Sequence, residues 1–178
     1  MLDVYTDACV WGLGAWLVID GIAVEFFAIP LSQHDLTFFG FDLGDNKGQQ
    51  CWETLAILVA LRHWKPKWVH LRARLGFNAD NVTALTAIAA FKAQRSTAVS
   101  RIARELALEI SDAEFAPEFC NHIPGIANGV ADTLSRRYPP GKTFVVPKEL
   151  ANAVDVHPVP HSDGYYRSLT PPGANSSA

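Results

Sequence analysis

The feature that most restricts the fold is a trio of short apolar or alternating runs at the start of the chain. Residues 2–7, 14–19 and 23–29 are separated by Gly12/Gly14 and by Asp20-Gly21, the spacing of an antiparallel meander with Asp7 closing the first strand. A long irregular connection rich in Phe, Gly and Asp follows over residues 30–48. Asn46 with Gln49 three positions on predicts a helix N-terminus. That helix runs through Trp52, Leu55, Ala56 and Val59 and ends before Pro66. From Val69 to Ala79 apolar residues alternate with His70, Arg72, Arg74 and Asn78, which puts Asp80 on the polar face at a strand's end. Asp80-Asn81 opens a further helix, residues 97–110 form another with Ile102, Leu106 and Ile110 inward, and residues 115–120 read as the last strand. Asn128 then caps a helix carrying Asp132. Strands, helix, strand, two helices, strand, helix is an α/β order with mixed strand directions.

The chain has 178 residues, about one domain. No apolar run reaches the roughly 18 residues of a membrane span, and Met1-Leu2-Asp3 lacks a basic start or cleavage signature. An intracellular location, cytoplasmic or nuclear and not secreted, is the expectation. Cys9, Cys51 and Cys120 are scattered and lack CxxC spacing, as buried thiols do. The net charge of -3 argues against a polyanion binder on average. The distribution differs: between Arg62 and Arg104 the basic residues also include Lys65, Lys67, Arg72, Arg74, Lys92, Arg95 and Arg101, and Asp80 is the sole acid. Such a stretch suits a phosphate backbone, or is an ordinary solvated face. Beyond Tyr138 prolines multiply, so residues 1–138 are expected to form the domain and residues 139–178 a Pro-rich linker or disordered tail. His157 and His161 fall in that tail without further metal-ligating partners.

The chemistry concentrates in His122-Ile-Pro-Gly-Ile-Ala-Asn-Gly-Val-Ala-Asp132-Thr-Leu-Ser-Arg-Arg137, a histidine and a carboxylate on either side of a Gly-rich loop. With Asp7, Glu53 and Asp80 it completes an ordered set of four acids, which is what a two-metal phosphodiester hydrolase needs. Each member has an ordinary alternative. Glu53 can serve the helix dipole, Asp80 can cap a helix, Asp132 can pair with Arg136 four residues on, and His122 can be a loop residue.

Over residues 2–138 the chain resembles the type 1 ribonuclease H domain of retrotransposon and retroviral reverse transcriptases, above all in the His-Ile-Pro-Gly…Ala-Asp…Leu-Ser-Arg-Arg segment. The resemblance implies a ribonuclease H-like α/β fold, a mixed five-stranded sheet flanked by helices. It implies a metal-dependent endonuclease that hydrolyses the RNA strand of RNA/DNA hybrids. Asp7, Glu53, Asp80 and Asp132 would hold two Mg2+ ions, replaceable by Mn2+, and His122 would be a mobile catalytic histidine. The implied partners are an RNA/DNA hybrid and an adjoining reverse transcriptase polymerase domain in a longer polyprotein, with no membrane. The chain departs from the family at Cys9, where a small hydroxyl residue is frequent, at Gly76 inside a strand, and in lacking a separate basic substrate-gripping helix. Two rival readings are a catalytically inactive nucleic-acid-binding or interaction module and a transposase or integrase core.

Overall fold

The meander forms as the alternation requires. In the computed structural model, which describes residues 1–69, 75–79, 98–111, 118–120, 125–162 and 164–167, β1 (Leu2–Cys9), β2 (Gly12–Ile19) and β3 (Ile22–Pro30) pair antiparallel in sequence. Asp20 and Gly21 make the two-residue turn between β2 and β3 with φ of 50° and 82°. Positive φ at both centres matches the strand twist, and Asp-Gly tolerates it. β1 also pairs parallel with β4 (Leu75–Ala79), and β4 with β5 (Glu118–Cys120). The sheet order is β5-β4-β1-β2-β3-β6, where β6 (Val154–Asp155) joins parallel to β3. The expected five strands are therefore six, and the additional one comes from beyond residue 138.

The helices cover both faces. α2 (Gln49–Trp68) is buried almost all round, with Trp52, Leu55, Leu58 and Leu61 in the main core. A helix apolar on every side needs neighbours on every side. The sheet supplies one flank, and α3 (Ala98–Ser111) supplies another through Ile102 and Leu106. On the opposite face α4 (Gly125–Ser135) packs Val130 and Leu134 on Phe26 and Ala28. No described helix is long and apolar enough to cross a membrane.

Several local expectations are revised. The connection after β3 contains α1 (Gln33–Phe39), capped by Ser32 and ended by Gly40 in the left-handed region. Asp45, not Asn46, caps a short 3-10 turn at Asn46–Gly48, and α2 begins behind it. α2 also runs through Pro66. The proline falls in the last turn, where one missing N–H is outweighed by burial of Trp64 and Trp68 beneath it, each indole N–H being bonded, to Glu25 and to the Leu61 carbonyl. α4 starts before Asn128, which lies inside it rather than capping it. The helix expected from Asp80-Asn81 lies outside the described residues.

The largest correction concerns residues 139–178, expected as a linker or disordered tail. Through residue 167 the described part packs on the core: Leu150 is buried beside Phe26 and Ala28, and the Val156 N–H donates to the Phe26 carbonyl at 2.8 Å. Arg137 holds Asp155 at 3.0 Å. Further on, His161 and Tyr166 bond the buried carboxylate of Asp35. Arg62 bonds the Tyr165 carbonyl and sits over its ring, while Arg167 reaches Glu109 at 2.5 Å. Prolines lower the entropy cost of ordering such a segment, and a few aromatic and charged anchors then suffice. Truncation after Lys142 would strip Asp35 of two donors and expose the Arg62 cluster. An uncompensated buried charge costs about 3–5 kcal/mol, so the thermal midpoint should fall by about 6 to 20 °C. A calorimetric scan in which the truncated protein melted with the parent would refute this packing role.

Candidate active site

Everything at the proposed site is set by how closely α4 approaches the sheet. Gly14 stands opposite Asp7 in the β1–β2 register. A Cβ at Gly14 would lie 2.4 Å from the Ser135 nitrogen and 2.8 Å from the Ala131 carbonyl, and one at Gly12 2.9 Å from the Ser135 carbonyl. The two glycines therefore let helix backbone rest directly on strand backbone. Cys9 uses the same contact, its thiol donating to the Ser135 carbonyl at 3.0 Å. As a result the Ser135 hydroxyl reaches Asp7, donating to Oδ2 at 2.8 Å.

Asp7 is the electrostatic centre. Burial pushes its pKa from 3.8 up to about 6; the nearby carboxylates of Asp132 and Glu53 push the same way, and hydrogen bonds from Ser135 and the Ala8 N–H oppose them. Glu53 projects from the second turn of α2, where Gln49 holds it: the Gln49 amide donates to Glu53 Oε1 at 2.8 Å and to the Ala8 carbonyl at 2.6 Å. That amide ties α2 to the end of β1. Asp132, on α4, pairs with Arg136 at 2.6 Å, and this bond is the main cause of the raised Arg136 pKa.

Of the five expected site residues, Glu53 and Asp132 lie near enough to Asp7, toward the end of β1, for their charges to raise its pKa. Asp80 and His122 lie outside the described residues. Among the described residues no three His, Cys, Asp or Glu side chains gather tightly enough to hold a metal ion. Sequence reasoning overlooked Gln49 and Ser135. Both were visible as polar residues one helical turn from an acid and inside the quoted motif, respectively. It also overvalued part of the basic stretch: Arg62 binds Glu105 and Glu109 at 2.6 and 2.8 Å, Lys65 binds Glu109 at 2.8 Å, and Lys67 binds Glu25 at 2.8 Å. Glu105 and Glu109 sit just past the window whose sole acid is Asp80. Arg72, Arg74, Lys92 and Arg95 lie outside the described residues.

No protein-family model matches the chain, and no curated protein does. Among solved structures it is similar to LC11-RNase H1, isolated from compost by a metagenomic approach, at 16% identity and a TM-score of 0.58, covering 75% of this chain and 91% of that one. A second structure of LC11-RNase H1, in complex with an RNA/DNA hybrid, matches at 15% identity and a TM-score of 0.59, covering 75% and 93%. The fold is ribonuclease H-like.

A carboxyl whose folded pKa is raised holds its proton more tightly than in the unfolded chain. Its contribution to stability is therefore present below about 3.8 and is lost as pH rises through about 6. In metal-free protein Asp7→Asn should accordingly melt above the parent near neutral pH and show no such gain below about pH 4. Equal midpoints at both pH values would contradict the electrostatic strain described.

Proposed function

We propose that the chain is a metal-dependent endonuclease that hydrolyses the RNA strand of an RNA/DNA hybrid. The observation that carries this reading is the charge coupling of Asp7 with Glu53 and Asp132 on the central strand of a ribonuclease H-like sheet. The donors are carboxylate oxygens, which suit Mg2+ or Mn2+, and their mutual repulsion at Asp7 is the kind a divalent cation relieves. Asp7, Glu53 and Asp132, completed by Asp80, would hold two such ions. When bound, the ions supply Lewis-acid activation of the attacking water and neutralise charge at the departing 3′ oxygen.

The side chains around them have distinct tasks. Ser135 and the Ala8 N–H fix the Asp7 carboxylate from the helix and the strand. Gln49 orients Glu53, and Arg136 offsets the charge of Asp132. His122, in a Pro-Gly loop of the sequence, passes a proton at the leaving group without ligating metal. Selectivity for a hybrid would rest on 2′-hydroxyl contacts in a wide minor groove. Attachment to a reverse transcriptase polymerase domain, as in a retroelement polyprotein, belongs to the same proposal and rests on the sequence resemblance. A second reading, an inactive hybrid-binding module, draws on the Asp132–Arg136 pair, which occupies one oxygen of a needed ligand.

Cleavage of a labelled hybrid in Mg2+ or Mn2+ separates the two. The enzyme reading expects 5′-phosphate and 3′-hydroxyl products from the RNA strand, with Asp7→Asn lowering turnover by orders of magnitude at an intact fold. An Asp7→Asn protein as fast as the parent would overturn the site. His122→Ala should cut single-turnover rates about 10- to 100-fold while calorimetric Mg2+ affinity stays near the parent's; lost metal binding in that variant would refute its assigned role.

A further inference from the structure

α4 ends at Ser135, and the site leans on that last residue: its hydroxyl donates to Asp7 at 2.8 Å and its carbonyl accepts from the Cys9 thiol at 3.0 Å. Helix ends fray, because their last carbonyls lack partners within the helix. A displacement of about 1 Å would take the Ser135 hydroxyl past hydrogen-bonding distance from Asp7. The end of α4 therefore needs a tether.

Arg137, two residues beyond, supplies one. Its backbone N–H donates to the Leu134 carbonyl at 3.2 Å, which couples it to the last helical turn. Its guanidinium lies over the Phe144 ring, 4.9 Å from the centroid, and donates through Nη1 to Asp155 Oδ2 at 3.0 Å. Among the described residues Asp155 makes no other ion pair. Tyr138 adds a second tie, its hydroxyl donating to the Ala28 carbonyl at 2.9 Å.

β6 contributes little to the sheet by itself. It is two residues long, stands at the edge, and leaves Val154 59% exposed. Its pairing with β3 sets Asp155 opposite Phe26, and the Val156 N–H locks that register on the Phe26 carbonyl. Phe26 packs in turn with Val130 and Leu134 of α4, and Leu150 and Phe144 of the C-terminal segment close the same cluster. The strand thus delivers one carboxylate at a fixed height beside the end of α4. A partly exposed pair of this kind adds little to global stability. Its place in the fold gives it a different use.

We propose that Arg137 and Asp155 are positioning residues, which fasten the end of α4 to β6 and so hold Ser135 on Asp7 and Asp132 beside it. The functional consequence rests on the metal-dependent reading above, and the geometry does not.

The test uses the full chain. Without metal or hybrid, Ser135→Ala should lower the thermal midpoint by about 3 °C or more in the parent. In an Asp155→Asn background it should cost less than half as much, because a released helix end no longer brings the hydroxyl to Asp7. Asp155→Asn alone should melt within about 4 °C of the parent, so folded proteins are compared. Calorimetric Mg2+ affinity should weaken about 3- to 10-fold in Asp155→Asn and in Arg137→Met, less than the 10- to 100-fold typical of groups bonded directly to metal ligands. Arg137→Lys, which keeps a cation for Asp155, should recover most of that loss. The proposal is overturned if the effects of Ser135→Ala and Asp155→Asn on the midpoint add, if Asp155→Asn binds Mg2+ as tightly as a parent that binds it, or if Arg137→Lys does no better than Arg137→Met. A parent that bound no Mg2+ would overturn the metal-dependent reading alone, and the metal-free comparison would still decide the role of the pair.

Discussion

The contact on which the rest of the molecule depends is backbone against backbone, α4 on β2 at Gly12 and Gly14. A Cβ at either position would lie under 3 Å from the Ser135 backbone, so the helix, and the Ser135 hydroxyl with it, would have to shift. The consequence is not only local. α4 closes one face of the sheet through Val130 and Leu134, carries Asp132, and delivers Ser135 to Asp7. Packing and chemistry therefore share one geometric requirement, met by removing two Cβ atoms.

The acids of this protein divide into two kinds. Asp35 and Glu109 are buried with donors enough to keep them charged, and both carboxyls are held below their ordinary range against the desolvation that raises them. Each keeps its charge through three partners, so losing one would leave part of its desolvation cost unmet. Asp7 is the reverse: burial and two like charges outweigh the hydrogen bonds it receives. Local conflict of this kind concentrates at functional sites, because the surrounding consistent structure can sustain it.

The meander and the helix at 98–111 were legible because periodicity reports which face is buried, and the helix carrying Glu53, buried almost all round, was legible from its long apolar run. The same logic failed at Pro66, where two tryptophans outweigh a helix breaker, and at Asn46, where a neighbouring Asp45 caps instead. At the site, Asp7, Glu53 and Asp132 could be named from their order, whereas Gln49 and Ser135 could not, since their importance lies in a reach across elements that no local spacing encodes. The basic stretch misled for a related reason. Charge along the chain does not reveal which charges are already paired in space, and Arg62, Lys65 and Lys67 are spent on Glu105, Glu109 and Glu25. Proline density misled in the C-terminal segment, where sparse anchors matter more than average composition.

The clasp between Asp35 and the pair His161 and Tyr166 spans 126 and 131 residues. Contacts of such separation form late, after the loop they close has been organised. During synthesis at 5–20 residues per second, Asp35 would wait roughly 6 to 25 s for His161 to be made. For that interval the α1 carboxylate has only its neighbour Ser32 to satisfy it, and the cap of the α2–α3 layer is missing. The nascent chain thus leaves the Asp35 carboxylate incompletely satisfied until His161 and Tyr166 have been made.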